Sequence, residues 1–189
     1  MTMVEMFVKR QQEIIQRYIC AKDKNRPELM SRVFTVAARV EIKMKTQSIA
    51  FPAGAVGLDA ITDVLISQFS QNYENVYTFC LFDSSEKHEN KFSCDWLVVM
   101  TEKNGGGVRV GCGSYNWSFD HQQEILADHL IITIEQMILL SPDFYDQIFA
   151  WVIKLPYPRS SAAAMPTTKP SLAMLNSVQN QLSNKKRFT

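Results

Sequence analysis

Tyr18, Asp95 and His129 are the side chains whose types and settings best suit proton transfer or polarisation of a bound molecule. Tyr18 lies in QRYICAKD, near the end of an amphipathic run. Its phenol either donates to a ligand oxygen or is a core hydroxyl bonded to backbone, since buried phenols seek a partner. Asp95 interrupts FSCDWLVVM, an otherwise apolar strand. A carboxylate there is paired, exposed at an edge, or raised in pKa as an acid. His129 follows Asp128 at a strand start. Neighbours on a strand point to opposite faces, so Asp128 and His129 form no dyad, and the partner to test for His129 is Asp95 across the sheet. The same rule applies to Asp120 and His121, while His88 sits in the polar loop SSEKHEN. The chemistry available is acid–base work without metal or cofactor.

A second set of residues suits binding. Tyr115, Trp117 and Phe119 share one strand face at period two, and Phe69 and Tyr73 share one helix face. These aromatics either line a cavity or fill the core. Several motif matches carry nothing. Gly111-Cys112-Gly113 lies inside a strand and not at a strand-to-helix turn, so it makes no dinucleotide loop. Cys20, Cys80, Cys94 and Cys112 are too widely spaced for a zinc site and read as buried free thiols of a reducing cytoplasm.

The elements that must position these residues follow from periodicity. Phe7, Ile14, Ile15 and Tyr18 mark one face of a helix over 4–22, and Pro27 starts a second, short helix. ARVEIKMK alternates as a half-buried strand, and Gly57-Leu58-Asp59 opens a third helix through Phe69 and Tyr73. Four long strands are expected near 75–83, 92–102, 108–119 and 129–140, the second and third joined by the glycine turn NGGG. WLVVM and LIITIEQMILL are apolar on both faces, which predicts cover from the helices on one side and from a second copy of the chain on the other. Ser141-Pro142-Asp143 starts a helix that packs on the domain. The expected organisation is an α+β domain over 1–140, a helix over 141–158, and a linker with a weakly packed tail over 159–189.

At 189 residues, 46% hydrophobic and 21% charged, the chain has the balance of a globular domain. A net charge of +1 gives no basic face for nucleic acid, and no apolar run reaches the roughly 18–20 residues that span a bilayer. A cytoplasmic location is the expectation.

QRYICAKDKNRPELMSRVF, GLDAITDVL and GSYNWSF, in that order, resemble the SnoaL-like and ketosteroid-isomerase branch of the nuclear-transport-factor-2-like superfamily over about residues 5–140. The resemblance implies a cone: a curved antiparallel sheet wrapped around N-terminal helices, with a C-terminal helical extension added here. It implies a mostly apolar cavity, and it places Tyr18 where ketosteroid isomerases carry an oxyanion-hole tyrosine. Their second oxyanion donor, an aspartic acid, falls at Trp117, and their general base falls near Ile42. The acid that scytalone-dehydratase-like enzymes keep near the end of helix one falls at Cys20. Ketosteroid-type proton abstraction is therefore not expected. The resulting reading is a homodimer whose cone holds a small apolar molecule through Tyr18, Phe69, Tyr73, Tyr115, Trp117 and Phe119, any catalysis using Tyr18 with Asp95 or His129. The rival is a non-catalytic interaction module. A cavity of several hundred Å³ favours the first, and a cone packed solid around Tyr115 and Trp117 favours the second.

Overall fold

The computed structural model describes residues 3–87, 90–120, 124–164 and 170–184. His88, His121 and the basic run at 185–187 lie outside the described residues. Helix α1 (Met3–Asp23) is followed by a 3₁₀ turn, Pro27–Arg32, and by strands β1 (Phe34–Met44) and β2 (Gly54–Val56). The third helical segment has three parts: α2 (Leu58–Thr62), a π-helical stretch over Asp63–Gln68, and α3 (Phe69–Asn72). Strands β3 (Tyr73–Lys87), β4 (Lys91–Glu102), β5 (Val108–Asp120) and β6 (Leu126–Leu140) are longer at their ends than periodicity indicates. Gly105 and Gly106 both take positive φ in the β4–β5 turn, as a tight hairpin requires.

The curved sheet has the order β2-β1-β6-β5-β4-β3-β7, where β7 is the short strand Arg159–Ser160. All neighbours are antiparallel except β1 with β6 and β3 with β7. Side-chain alternation divides the sheet into two faces. On the inner face Val40, Trp96, Val98, Tyr115, Trp117 and Ile132 pack against Ile14, Ile15, Tyr18 and Ile19 of α1. This half of the α+β cone agrees with the sequence reading.

The outer face corrects it. Leu81, Leu97, Val99, Val108, Val110 and Cys112 are buried, but beneath the chain's own C-terminal segments. Helix α4 (Tyr145–Val152) supplies Ile148, Phe149, Trp151 and Val152. The final helix, α5 (Asn176–Asn184), supplies Val178 and Leu182, with Leu175 just before it. The tail expected to pack weakly thus buries Leu175 to 1% exposure. With aromatic side chains burying about 150–250 Å² each, Phe149 and Trp151 alone stabilise this layer by several kcal/mol. The double-sided apolarity of β4 and β5 is therefore satisfied within one chain, and it no longer argues for a second copy.

The cysteines need a second correction. Cys80 on β3 and Cys94 on β4 form a disulfide, leaving Cys20 and Cys112 as thiols. Both paired residues point to the inner face of neighbouring strands, which brings their sulfurs together. The bond removes the free-thiol ground on which a cytoplasmic location was expected.

Candidate functional site

Between α1, the π-helical segment and the sheet's inner face lies a cavity of about 60 Å³. Its floor is Trp96, Val98, Met100 and Tyr115, its far wall Ile132, Ile134 and Met137, and its roof Tyr18, Lys22, Leu65 and Phe69. A water needs roughly 10–15 Å³ on this kind of measure, so the space holds a few waters or one small organic molecule. Steroid-sized ligands are excluded as it stands, and the several hundred Å³ of a drug-sized pocket is absent here.

Tyr18 and Lys22 are four residues apart on α1 and so face the cavity together. The hydroxyls of Tyr18 and Tyr115 share a hydrogen bond, and the two rings meet edge to face at 5.8 Å. Burial, and secondarily the charge of Asp23, pushes Tyr18 far above the ordinary phenol range. Tyr115 is raised too, again chiefly by burial. Both are neutral donors at any physiological pH, and neither is a base.

Lys22 is 8% exposed and belongs to a network that sequence reasoning did not single out. Its Nζ donates to Asp23 Oδ1 at 2.6 Å and to Thr78 Oγ1 at 2.8 Å, and lies 4.8 Å over the Phe69 ring. Asp23 also accepts from the Thr78 backbone N–H at 2.6 Å, the Thr78 hydroxyl at 2.9 Å and the Tyr157 hydroxyl at 3.1 Å. Tyr157 comes from the C-terminal extension: Pro158 O accepts from Cys80 N and β7 pairs beside it, so the segment wraps the free edge of β3. Burial and the nearby Asp23 charge raise the Tyr157 phenol, which stays protonated. The signal available in sequence was the Tyr18/Lys22 spacing, which sets a cation on the core face of a helix. Lys22 and Phe69 also border a surface groove of about 260 Å³ lined by Lys24, Tyr73 and Lys103.

The remaining expected site residues fall elsewhere. Trp117 and Phe119 point inward but do not border the cavity. Trp117 is 1% exposed and enclosed by Phe34 at 5.7 Å, Tyr18 at 5.3 Å and Phe119 at 6.1 Å. Tyr73 stacks on the outer side of Phe69 at 5.1 Å. Asp95 alternates with the inner-face Cys94 and Trp96, so it lies on the outer face of β4, buried to 6%. His129 is on the outer face of β6, with Nε2 3.0 Å from Glu41 Oε1. Asp95 pairs with Ser114, which pairs with Thr133, four residues from His129. That register puts the two about 10 Å apart across the strands and about 13 Å apart along them. They form no pair, and neither reaches Tyr18 through the sheet. No cluster of three or more potential metal ligands occurs among the described residues. No helix among them is long and apolar enough to cross a membrane.

No family model matches the chain, and no curated protein matches it in sequence. Solved structures do match it in fold. A type-2 hexachlorocyclohexane dehydrochlorinase superposes over 69% of this chain and 86% of its own, with TM-score 0.56 and 12% identity. A Novosphingobium aromaticivorans protein provisionally named a scytalone dehydratase superposes over 75% of this chain and 97% of its own, at 0.53 and 14%. A nuclear-transport-factor-2-like superfamily protein from Salmonella enterica serovar Typhimurium LT2 does so over 68% and 93%, at 0.52 and 14%. The fold of this chain is the nuclear-transport-factor-2-like cone, as the resemblance implied; at these identities the likeness extends to fold alone.

Proposed function

We propose that the cone binds one small, largely apolar molecule of about four to six non-hydrogen atoms in the cavity beneath Tyr18 and Lys22. The observation that carries this reading is an apolar space bounded by Ile42, Leu65, Val98, Ile132 and Ile134, with a neutral phenol and a buried ammonium on one wall. Apolar lining with a few converging polar groups is the usual make-up of a ligand site. Any catalysis in this cavity is polarisation of a ligand by the Tyr18 hydroxyl. Asp95 and His129 take no part, because they occupy the other face of the sheet. The structural neighbours include a protein named a dehydrochlorinase and one provisionally named a dehydratase, which is consistent with small-molecule chemistry in this fold. The residues that line the cavity all come from this chain, so the reading does not depend on a second copy.

A panel of hydrocarbons, ketones and alcohols of four to six non-hydrogen atoms tests it by thermal shift at millimolar concentration. Saturable stabilisation is expected for at least the ketones and hydrocarbons. Tyr18→Phe should weaken oxygen-bearing ligands by about 0.5–1.5 kcal/mol, the net contribution of one neutral hydrogen bond, and spare hydrocarbons. The enclosure of Trp117 and the small cavity favour the rival reading, a non-catalytic module. A panel without any binder would overturn the ligand reading.

A further inference from the structure

Of the described residues that line the cavity, all but one are at most 8% exposed. The exception is Phe51, which is half-buried, so the wall comes nearest to solvent there. Phe51 belongs to the connection over residues 45–53, which joins β1 to β2 without regular secondary structure. Every other part of the wall is sheet, α1, or the helical segment that carries Leu65 and Phe69. Opening any of those would part hydrogen-bonded strands or lift a helix from the core.

The connection is anchored on both sides of Phe51. Before it, Ser48 O accepts from Arg109 Nη1 at 2.8 Å, the Ser48 hydroxyl donates to Met137 O, and Ile49 is buried. Arg109 is itself fixed by Glu102, whose Oε1 lies 2.8 Å from Nε and 2.7 Å from Nη2. After it, Ala53 O accepts from Ile42 N at 2.8 Å. Between these anchors Ala50, Phe51 and Pro52 make no hydrogen bond among the described residues. Phe51 is held by ring packing, stacked on Phe69 at 6.3 Å with a 15° tilt. Phe69 is the firmer of the two, with Tyr73 at 5.1 Å and the Lys22 ammonium at 4.8 Å from its ring.

We propose that Phe51 is the gate of this cavity: its ring, closed on Phe69, seals the space, and turning it outward admits and releases the small apolar molecule. The proposal rests on the reading of the cone as a ligand cavity and adds how the ligand enters. Pro52 confines the Phe51 backbone to extended conformations, so the ring moves about its own side-chain bonds while the anchored connection stays in place. The motion breaks one ring stack and no hydrogen bond, which makes it the least costly way to open the wall.

A gate and a wall contact differ in their kinetics. A gate changes entry and exit together, because every molecule passes it both ways, whereas a lost wall contact speeds exit alone. Cyclobutanone is titrated into the full-length protein labelled with ¹³C at the methionine ε-methyls. Relaxation dispersion of the Met100 and Met137 signals at several ketone concentrations gives kon and koff. An open state of this kind is a minor one, about 0.1–10% populated, so Phe51→Ala should raise both rates roughly tenfold or more. Phe51→Trp, with a larger ring to move, should lower both rates. Ile132→Val, on the sheet wall, should change koff and leave kon as it is. If the native protein binds the ketone and neither Phe51 substitution changes kon, the gate is overturned and the cavity stands. If the native protein binds none, the cavity reading falls and the gate with it. Phe51→Trp decides the matter even if Phe51→Ala folds poorly.

Discussion

Replacing Asp23 by asparagine should be among the most damaging single changes in this chain. The Asp23 carboxylate is 1% exposed at the side chain and receives four hydrogen bonds. Oδ2 holds the Thr78 N–H and the Tyr157 hydroxyl, and Oδ1 holds Lys22 and the Thr78 hydroxyl. An asparagine can keep its oxygen on the Oδ2 side, but its NH₂ group then confronts the Lys22 ammonium, which loses its ion-pair partner Asp23. Removing one member of a buried ion pair costs about 3–5 kcal/mol. In a domain of this size each kcal/mol lowers the melting temperature by about 2–4 °C, so a fall on the order of 10 °C is expected. The double variant Lys22→Met with Asp23→Asn removes the stranded charge and lets the amide donate to the Thr78 hydroxyl. It should recover most of the loss, giving a coupling of about 2 kcal/mol or more between the two sites. Urea unfolding of the four proteins measures this. A cost below about 1 kcal/mol for Asp23→Asn, or additive losses in the double variant, would refute the network.

Raising the pH should destabilise the fold from about pH 10 upward. An unfolded tyrosine titrates near 10, whereas Tyr18 and Tyr115 are raised when folded, so between those values the unfolded chain binds fewer protons and stability falls, by up to about 3 kcal/mol at pH 11. Absorbance titration at 295 nm should show these two phenols ionising only on unfolding; early, reversible ionisation of all six tyrosines would contradict their burial. Deleting residues 142–189 should uncover Leu97, Val99 and Val110 and cause aggregation or a large loss of melting temperature, and an unchanged melt would show that the C-terminal layer contributes nothing. Reducing the Cys80–Cys94 bond, which closes a loop of sequence separation 14, should cost about 2–4 kcal/mol. Equal urea midpoints with and without reductant would contradict it.

The fold was legible because its signals are local and repeated. Helical spacing of Ile14, Ile15 and Tyr18, alternation in β1 and the glycine turn all reported their own elements. The cover of the outer face was not legible. An apolar strand face states that something must lie on it, and Leu97 and Val99 cannot distinguish a second copy from α4 and α5 of the same chain. The disulfide was hidden for a related reason: Cys80 and Cys94 meet only through the register of β3 with β4. At the site, Tyr18, Phe69 and Tyr115 were found from helix and strand faces. Asp95 and His129 were misplaced because alternation gives a residue's face only once the inner face is known. Trp117 was read as lining because aromatic position on a face does not give depth, and it lies among Phe34, Tyr18 and Phe119, clear of the open space.

Met100 and Met137 border the cavity, and the other seven methionines serve as controls. Titrating cyclobutanone into protein labelled with ¹³C at the methionine ε-methyls therefore observes the cavity directly. The account predicts saturable shifts of the Met100 and Met137 methyl signals with the other seven unmoved. Methyl signals that stay fixed up to the solubility limit of the ketone, or that drift together without saturating, would contradict it.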